Sequence, residues 1–155
     1  MTTLWRISSF VDLSGEGGLS ASGRWHHEGR LIVYLAENPA GALLERIVQI
    51  TDMVDDLNLP RFYQLLKVSF PDELQIKPLN APDSTDWKER PEFTRAIGDA
   101  WLASLETPLA RVPSVLAPRT WNYLLNPAHL DANQVVVAEI VRERFDNRLF
   151  RFGAR

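Results

Sequence analysis

The sequence predicts an α+β fold: a single domain with a mixed or antiparallel sheet and a few helices. Three observations predict it. Two segments, Pro39 to Ile50 and Pro91 to Leu105, carry apolar residues at helical spacing, while about six others read as strands. The strands cluster along the chain instead of alternating regularly with helices, which argues against a doubly wound parallel sheet. The 155 residues, 45% of them hydrophobic, suit one core, so residues 1–155 are read as one domain.

Each element has its own signal. Thr2 to Ile7 alternates polar and apolar residues and reads as a short strand, and Ser8 to Gly23, rich in Gly and Ser, reads as a loop. Leu31 to Ala36 is a compact apolar strand. Asn38-Pro39 then looks like an N-cap followed by proline at the first helical position, with Leu43, Leu44, Ile47, Val48 and Ile50 on one arc of the helix. Asp52 to Pro60 is an acidic loop, Phe62 to Phe70 and Leu74 to Leu79 are strands, and Asn80 to Arg90 is a polar connection. The second helix shows Phe93, Ile97, Trp101 and Leu105 at spacing four, a core stripe. Leu109 to Ala117 is extended, and Pro113 makes it an edge or interrupted strand. Asn126-Pro127 marks a turn, Gln134 to Ile140 is β-branched and strand-like, and a last strand falls near Arg148 to Phe152.

Composition removes several classes of function. Without cysteine there is no disulfide framework, thiolate nucleophile or Cys-ligated zinc. A net charge of -3 lacks the basic footprint of a general nucleic-acid binder. No apolar run approaches the roughly 20 residues of a membrane-spanning helix, and Met1 to Phe10 has no signal-peptide pattern, so a cytoplasmic protein without membrane association is expected. Fourteen of the 17 basic residues are Arg, whose planar fork suits phosphate and carboxylate.

Motif searches narrow the field further. No Gly-Lys pair exists for a phosphate-binding P-loop, and G-x-G-x-x-G fails because position 20 is Ser. There is no G-x-S-x-G elbow and no H-E-x-x-H. Adjacent His26 and His27 would point oppositely from a regular strand, so no metal site is expected.

What remains is an ordered constellation. Gly23-Arg24-Trp25 leads to the strand bearing Tyr34. The first helix carries Ala42-Leu43-Leu44-Glu45, and Val112-Pro113-Ser114-Val115 and Asn122-Tyr123-Leu124-Leu125-Asn126-Pro127 follow downstream. With Trp5-Arg6-Ile7, Ile97-Gly98-Asp99 and Phe145-Asp146, these blocks resemble the RES domain, the toxin of Xre/RES toxin–antitoxin pairs, over almost the whole chain. The family's Arg, Glu and Ser match Arg24, Glu45 and Ser114. The resemblance implies a fold similar to the diphtheria-toxin-like ADP-ribosyltransferases, with NAD+ as substrate rather than cofactor, no metal, and an Xre-type DNA-binding antitoxin as partner. It is compatible with a homodimer inside a toxin–antitoxin complex. Family members often carry Asn after Gly-Arg-Trp, where this chain has His26.

The resemblance assigns Arg24, Tyr34 and Glu45 as catalytic and Ser114 and Asn122 as substrate-binding. The residue types suit that chemistry. Arg24 can grip a pyrophosphate, and the face of Tyr34 can stack on cationic nicotinamide. Glu45 can stabilise positive charge at the ribose as its bond to nicotinamide breaks, and Ser114 and Asn122 can supply neutral hydrogen bonds. Pattern alone reads several of these differently: Glu45 as a solvated helix residue beside Arg46, Tyr34 as a sheet aromatic, Arg24 as a cover for Trp25, Ser114 as a turn hydroxyl. The activity expected is cleavage of the nicotinamide–ribose bond with water or phosphate as acceptor. The alternatives are ADP-ribosyl transfer to a protein target and an inactive antitoxin-binding module.

Overall fold

The computed structural model describes residues 1–53 and 58–150. Seven strands form one sheet: β1 (Thr2–Ile7), β2 (Val33–Ala36), β3 (Phe62–Phe70), β4 (Ile76–Pro78), β5 (Leu109–Pro113), β6 (Trp121–Leu125) and β7 (Val136–Arg144). Among the described residues two α-helices accompany them, α1 (Pro39–Met53) and α2 (Pro91–Ser104). The strands lie in the order β4-β5-β6-β2-β1-β3-β7. All neighbours are antiparallel except β4 and β5, so the sheet is mixed and the class is α+β. Among the described residues no helix is long and apolar enough to cross a membrane.

Both faces of the sheet centre are covered, which is why β5 and β6 are apolar in nearly every position. On one face Leu4, Val33, Leu35, Leu66, Val68, Phe70, Leu109 and Leu125 pack with Leu74 and Val135 from the loops. On the other, Ala110, Val112 and Leu124 meet Trp101 and Leu102 of α2 and Trp25 of the glycine-rich loop. Helix α1 packs on β1 and β2. Its start follows the sequence signal: the Asn38 side-chain oxygen accepts from the Gly41 N–H at 2.7 Å, with Pro39 at the first helical position.

Several expectations need correction. Trp121–Leu125 is a central strand that the sequence reading did not assign. The strand expected near Arg148 to Phe152 is replaced at Asn147–Phe150 by a 3-10 turn, and Arg151 and Phe152 lie outside the described residues. The acidic segment Asp52 to Pro60 starts within α1, and residues 54–57 of it are likewise outside. The extended run from Leu109 stops at Pro113, and β5 is an interior strand, with proline tolerated at its end. On α2 the buried stripe is Thr94, Gly98, Trp101 and Leu102, while Phe93 and Leu105 are exposed. On α1 the buried positions are Ala42, Ile47 and Ile50, and Leu44 is exposed.

Asn126, 2% exposed, ties α2 to the sheet. Its side-chain amide donates to the Leu102 carbonyl at 3.0 Å, one of the helix-end carbonyls that lack an intrahelical donor. Its own N–H donates to the Pro108 carbonyl at 2.9 Å, and its side-chain oxygen accepts from the Ala128 N–H at 3.1 Å. Asn126→Ala is expected to lower stability by about 1–3 kcal/mol through stranded polar groups, measurable by urea unfolding.

Candidate active site

The site is built on the sheet face that carries both helices. The register opposes Tyr34 to Leu124 and Ala36 to Asn122, so Tyr34, Ala36, Leu124 and Asn122 share this face. Tyr34 and Asn122 are therefore diagonal cross-strand neighbours, about 7–8 Å apart at the backbone.

One half of the site is a cavity of about 230 Å³ at the start of α1. Asn38, Gly41, Leu44 and Glu45 line it from the helix side, and Ser114, Thr120 and Asn122 from the β5–β6 side. Glu45 is half-buried there rather than solvated, and the Asn122 side-chain amide donates to its carboxylate at 2.8 Å. Ser114 is buried, and its oxygen accepts from the N–H groups of Leu116 and Ala117, both at 3.2 Å. A hydroxyl whose oxygen already accepts two bonds is left with its proton to donate. Ser114 thus keeps the turn role that pattern alone suggested while also lining the cavity.

The other half is the turn Gly23 to His26, closed by an isolated bridge between its ends. Helix α2 holds it from outside. Thr94 donates its hydroxyl to the Arg24 carbonyl at 2.6 Å, and Arg95 donates to the Gly23 carbonyl at 2.8 Å. A Cβ on Gly98 would overlap the Trp25 carbonyl, so only glycine lets the helix approach this closely. Asp99 accepts from the His27 N–H at 3.1 Å and pairs with the His27 ring at 2.6 Å. From inside, the Tyr34 hydroxyl accepts from the Trp25 N–H at 3.0 Å and lies 2.7 Å from His26 Nδ1. Burial pushes the Tyr34 phenol well above its ordinary pKa, so it stays protonated at any physiological pH.

Arg24 is half-buried, and its guanidinium donates to the Lys88 carbonyl at 2.8 Å. The cation–aromatic contacts among the described residues involve other pairs than Arg24 and Trp25. The fold thus brings Glu45, Ser114 and Asn122 to one cavity, which neither Arg24 nor Tyr34 lines; Tyr34 reaches the turn that carries Arg24 through Trp25 and His26. Sequence reasoning gave no role to His26, Thr94, Arg95 or Asp99; the Gly-Asp pair at 98–99 was the available signal for the last. No group of three or more metal-binding side chains occurs among the described residues.

Comparison with known proteins identifies the family. The RES domain family matches residues 3–146. The chain belongs to the RES domain family. Among RES relatives, a protein of Pseudomonas putida named Toxin Res is 43% identical over 149 residues, which is 95% of this chain and 99% of the relative. A Prs ADP-ribosylating toxin of Sphingobium sp. is 33% identical, covering 97% of this chain and 98% of the relative. The fold is similar to that in the crystal structure of the M. tuberculosis MbcT-MbcA toxin-antitoxin complex, with a TM-score of 0.73 at 20% identity over 97% of this chain and 87% of the other. By family this RES domain is a toxin.

The Gly98 contact makes a direct prediction. Gly98→Ala should destabilise the fold by at least about 2 kcal/mol, because the added methyl meets backbone that cannot rotate away. Thermal unfolding of Gly98→Ala beside Ala100→Gly, an exposed helix position on α2, separates this collision from a general change in helix propensity.

Proposed function

We propose that this RES domain consumes NAD+ by cleaving the nicotinamide–ribose bond in the bacterial cytoplasm. The observation that carries the reading is Glu45: a carboxylate aimed by Asn122 into a cavity, with a protonated aromatic, Tyr34, diagonal to Asn122 on the same sheet face. Tyr34 would stack on the nicotinamide ring, and Arg24 would bind the pyrophosphate. Ser114 would donate to ribose or phosphate oxygen. As the C–N bond breaks, its electron pair moves to the pyridinium nitrogen and nicotinamide leaves neutral. Glu45 stabilises the positive charge left on the ribose. Water or phosphate then bonds to that carbon and gives up a proton. NAD+ is the substrate, and no further cofactor or metal is required.

The 33% identity to an ADP-ribosylating toxin favours one second reading, transfer of ADP-ribose to a protein acceptor through the same Glu45. The intact Arg24, Tyr34 and Glu45 set argues against an inactive binding module. The partner we expect is an Xre-type DNA-binding antitoxin that blocks the cavity, in an assembly able to hold two toxin copies; the similarity in fold to the toxin of an antitoxin complex fits that expectation.

Purified protein incubated with NAD+ should release nicotinamide, and Glu45→Ala should release it at least about a hundredfold more slowly, the scale on which one electrostatic stabiliser acts. Label in the ADP-ribose moiety separates the acceptors: free ADP-ribose or its phosphate marks consumption, while label on a protein marks transfer. Equal release by wild type and Glu45→Ala would refute the proposal.

A further inference from the structure

His26 follows Gly23-Arg24-Trp25, and its surroundings give it a definite task. It is 3% exposed. Its Nε2 lies 2.9 Å from the Ala21 carbonyl oxygen, which can only accept, so Nε2 carries the proton. In a neutral imidazole Nδ1 is then bare and must accept. Two donors converge on it: the Tyr34 hydroxyl at 2.7 Å and the Gly23 N–H at 3.2 Å, the latter shared with the His26 carbonyl at 3.1 Å. The Tyr34 oxygen in turn accepts from the Trp25 N–H at 3.0 Å. The hydroxyl therefore has its proton on His26 and a lone pair on the residue next to Arg24.

We infer that His26 is a positioning residue, which fixes the Tyr34 ring against the Arg24 turn through a neutral, Nε2-protonated imidazole. The inference rests on the reading of Tyr34 as the nicotinamide-stacking group, and it adds how this chain sets that ring. Close approach makes the lock possible. A Cβ on Gly23 would overlap the Tyr34 hydroxyl, and one on Gly18 would crowd both the Arg30 carbonyl and the His26 ring. The two rings also touch, with centroids 5.6 Å apart at 48°.

The lock has a pH sign. A protonated His26 would aim an Nδ1–H at the Gly23 N–H, donor against donor, and would force the Tyr34 hydroxyl to turn. The charged groups around it are Arg95 and Asp99 of α2, with the carbonyls of Gly18 and Ala21 and the phenol of Tyr34. Burial outweighs the carbonyls and Asp99 and holds the His26 pKa below its ordinary value. The lock is thus intact at neutral pH and is lost only as pH falls through that depressed pKa.

Two measurements on the full chain test this. The first is nicotinamide release from NAD+ across pH. His26→Leu, which cannot accept, should lose kcat on the order of tenfold at neutral pH, the effect of one lost hydrogen bond. His26→Asn places a non-titrating acceptor near the Nδ1 position; it should recover most of that loss and lose the share of the wild-type acid limb that His26 contributes. A His26→Leu enzyme with wild-type kcat, or an Asn variant whose acid limb is unchanged from wild type, overturns the inference. The second measurement needs no activity: ¹⁵N NMR of the histidine rings. Wild type should show Nε2 protonated and Nδ1 bare at His26. Tyr34→Phe removes the hydroxyl that favours the neutral ring, so His26 should then titrate at higher pH. A protonated Nδ1, or titration indifferent to Tyr34→Phe, refutes the lock. If wild type releases no nicotinamide at all, the functional reading fails and the NMR result alone decides the pair.

Discussion

The site depends on one close approach, that of α2 to the backbone of the Gly23–His26 turn. Gly98 removes the side chain that would keep them apart. Thr94, Arg95 and Asp99 then place hydrogen bonds on Arg24, Gly23 and His27 from a single helix face. The turn itself, Gly-Arg-Trp-His, carries no repeating pattern that selects one shape. Bolted to a helix on one side and to the Tyr34 hydroxyl on the other, it has a single shape available. The position of Arg24 is thus a consequence of tertiary packing.

Strand β2 converts that packing into a site. Its four residues alternate faces, so Val33 and Leu35 enter one core while Tyr34 and Ala36 face the helices. Tyr34 reaches the turn, and Ala36, small and buried, lies across from Asn122. Asn122 in turn holds Glu45, which sits on the helix that β2 feeds directly. The central strands β2 and β6 therefore link the arginine turn, the aromatic and the carboxylate over a short span. Both strands are buried between neighbours and have little room to move.

Legibility in the sequence followed the range of the interactions. Phe62–Phe70 is read correctly at both ends because a largely apolar run with aromatic ends is cut off by Pro71. The start of α1 is legible because an N-cap is a contact between residues three apart. Trp121–Leu125 is missed because it is short and its residues, Trp-Asn-Tyr-Leu-Leu, show no alternation of polar and apolar positions. The strand expected over Gln134 to Ile140 runs on to Arg144, because an edge strand pairs by backbone and leaves side chains such as Arg142 and Arg144 in solvent, where no apolar pattern marks them. At the site, Arg24, Tyr34 and Glu45 stand out only through the ordered family pattern; the helix wheel alone misreads Glu45. Its partner Asn122 is 77 residues away, and the contacts of Thr94, Arg95 and Asp99 with the turn span 70 residues or more. No local pattern reports such distances.

The central claim is that these two halves act on one molecule. The most direct measurement is a crystal structure of Glu45→Gln with NAD+ bound, the substitution retaining shape while removing the charge that drives cleavage. The account predicts the nicotinamide ring against Tyr34, the pyrophosphate on Arg24 and the ribose beside residue 45 and Ser114. NAD+ bound away from the cavity between α1 and the β5–β6 connection, or a pyrophosphate that leaves Arg24 on the Lys88 carbonyl alone, would contradict it.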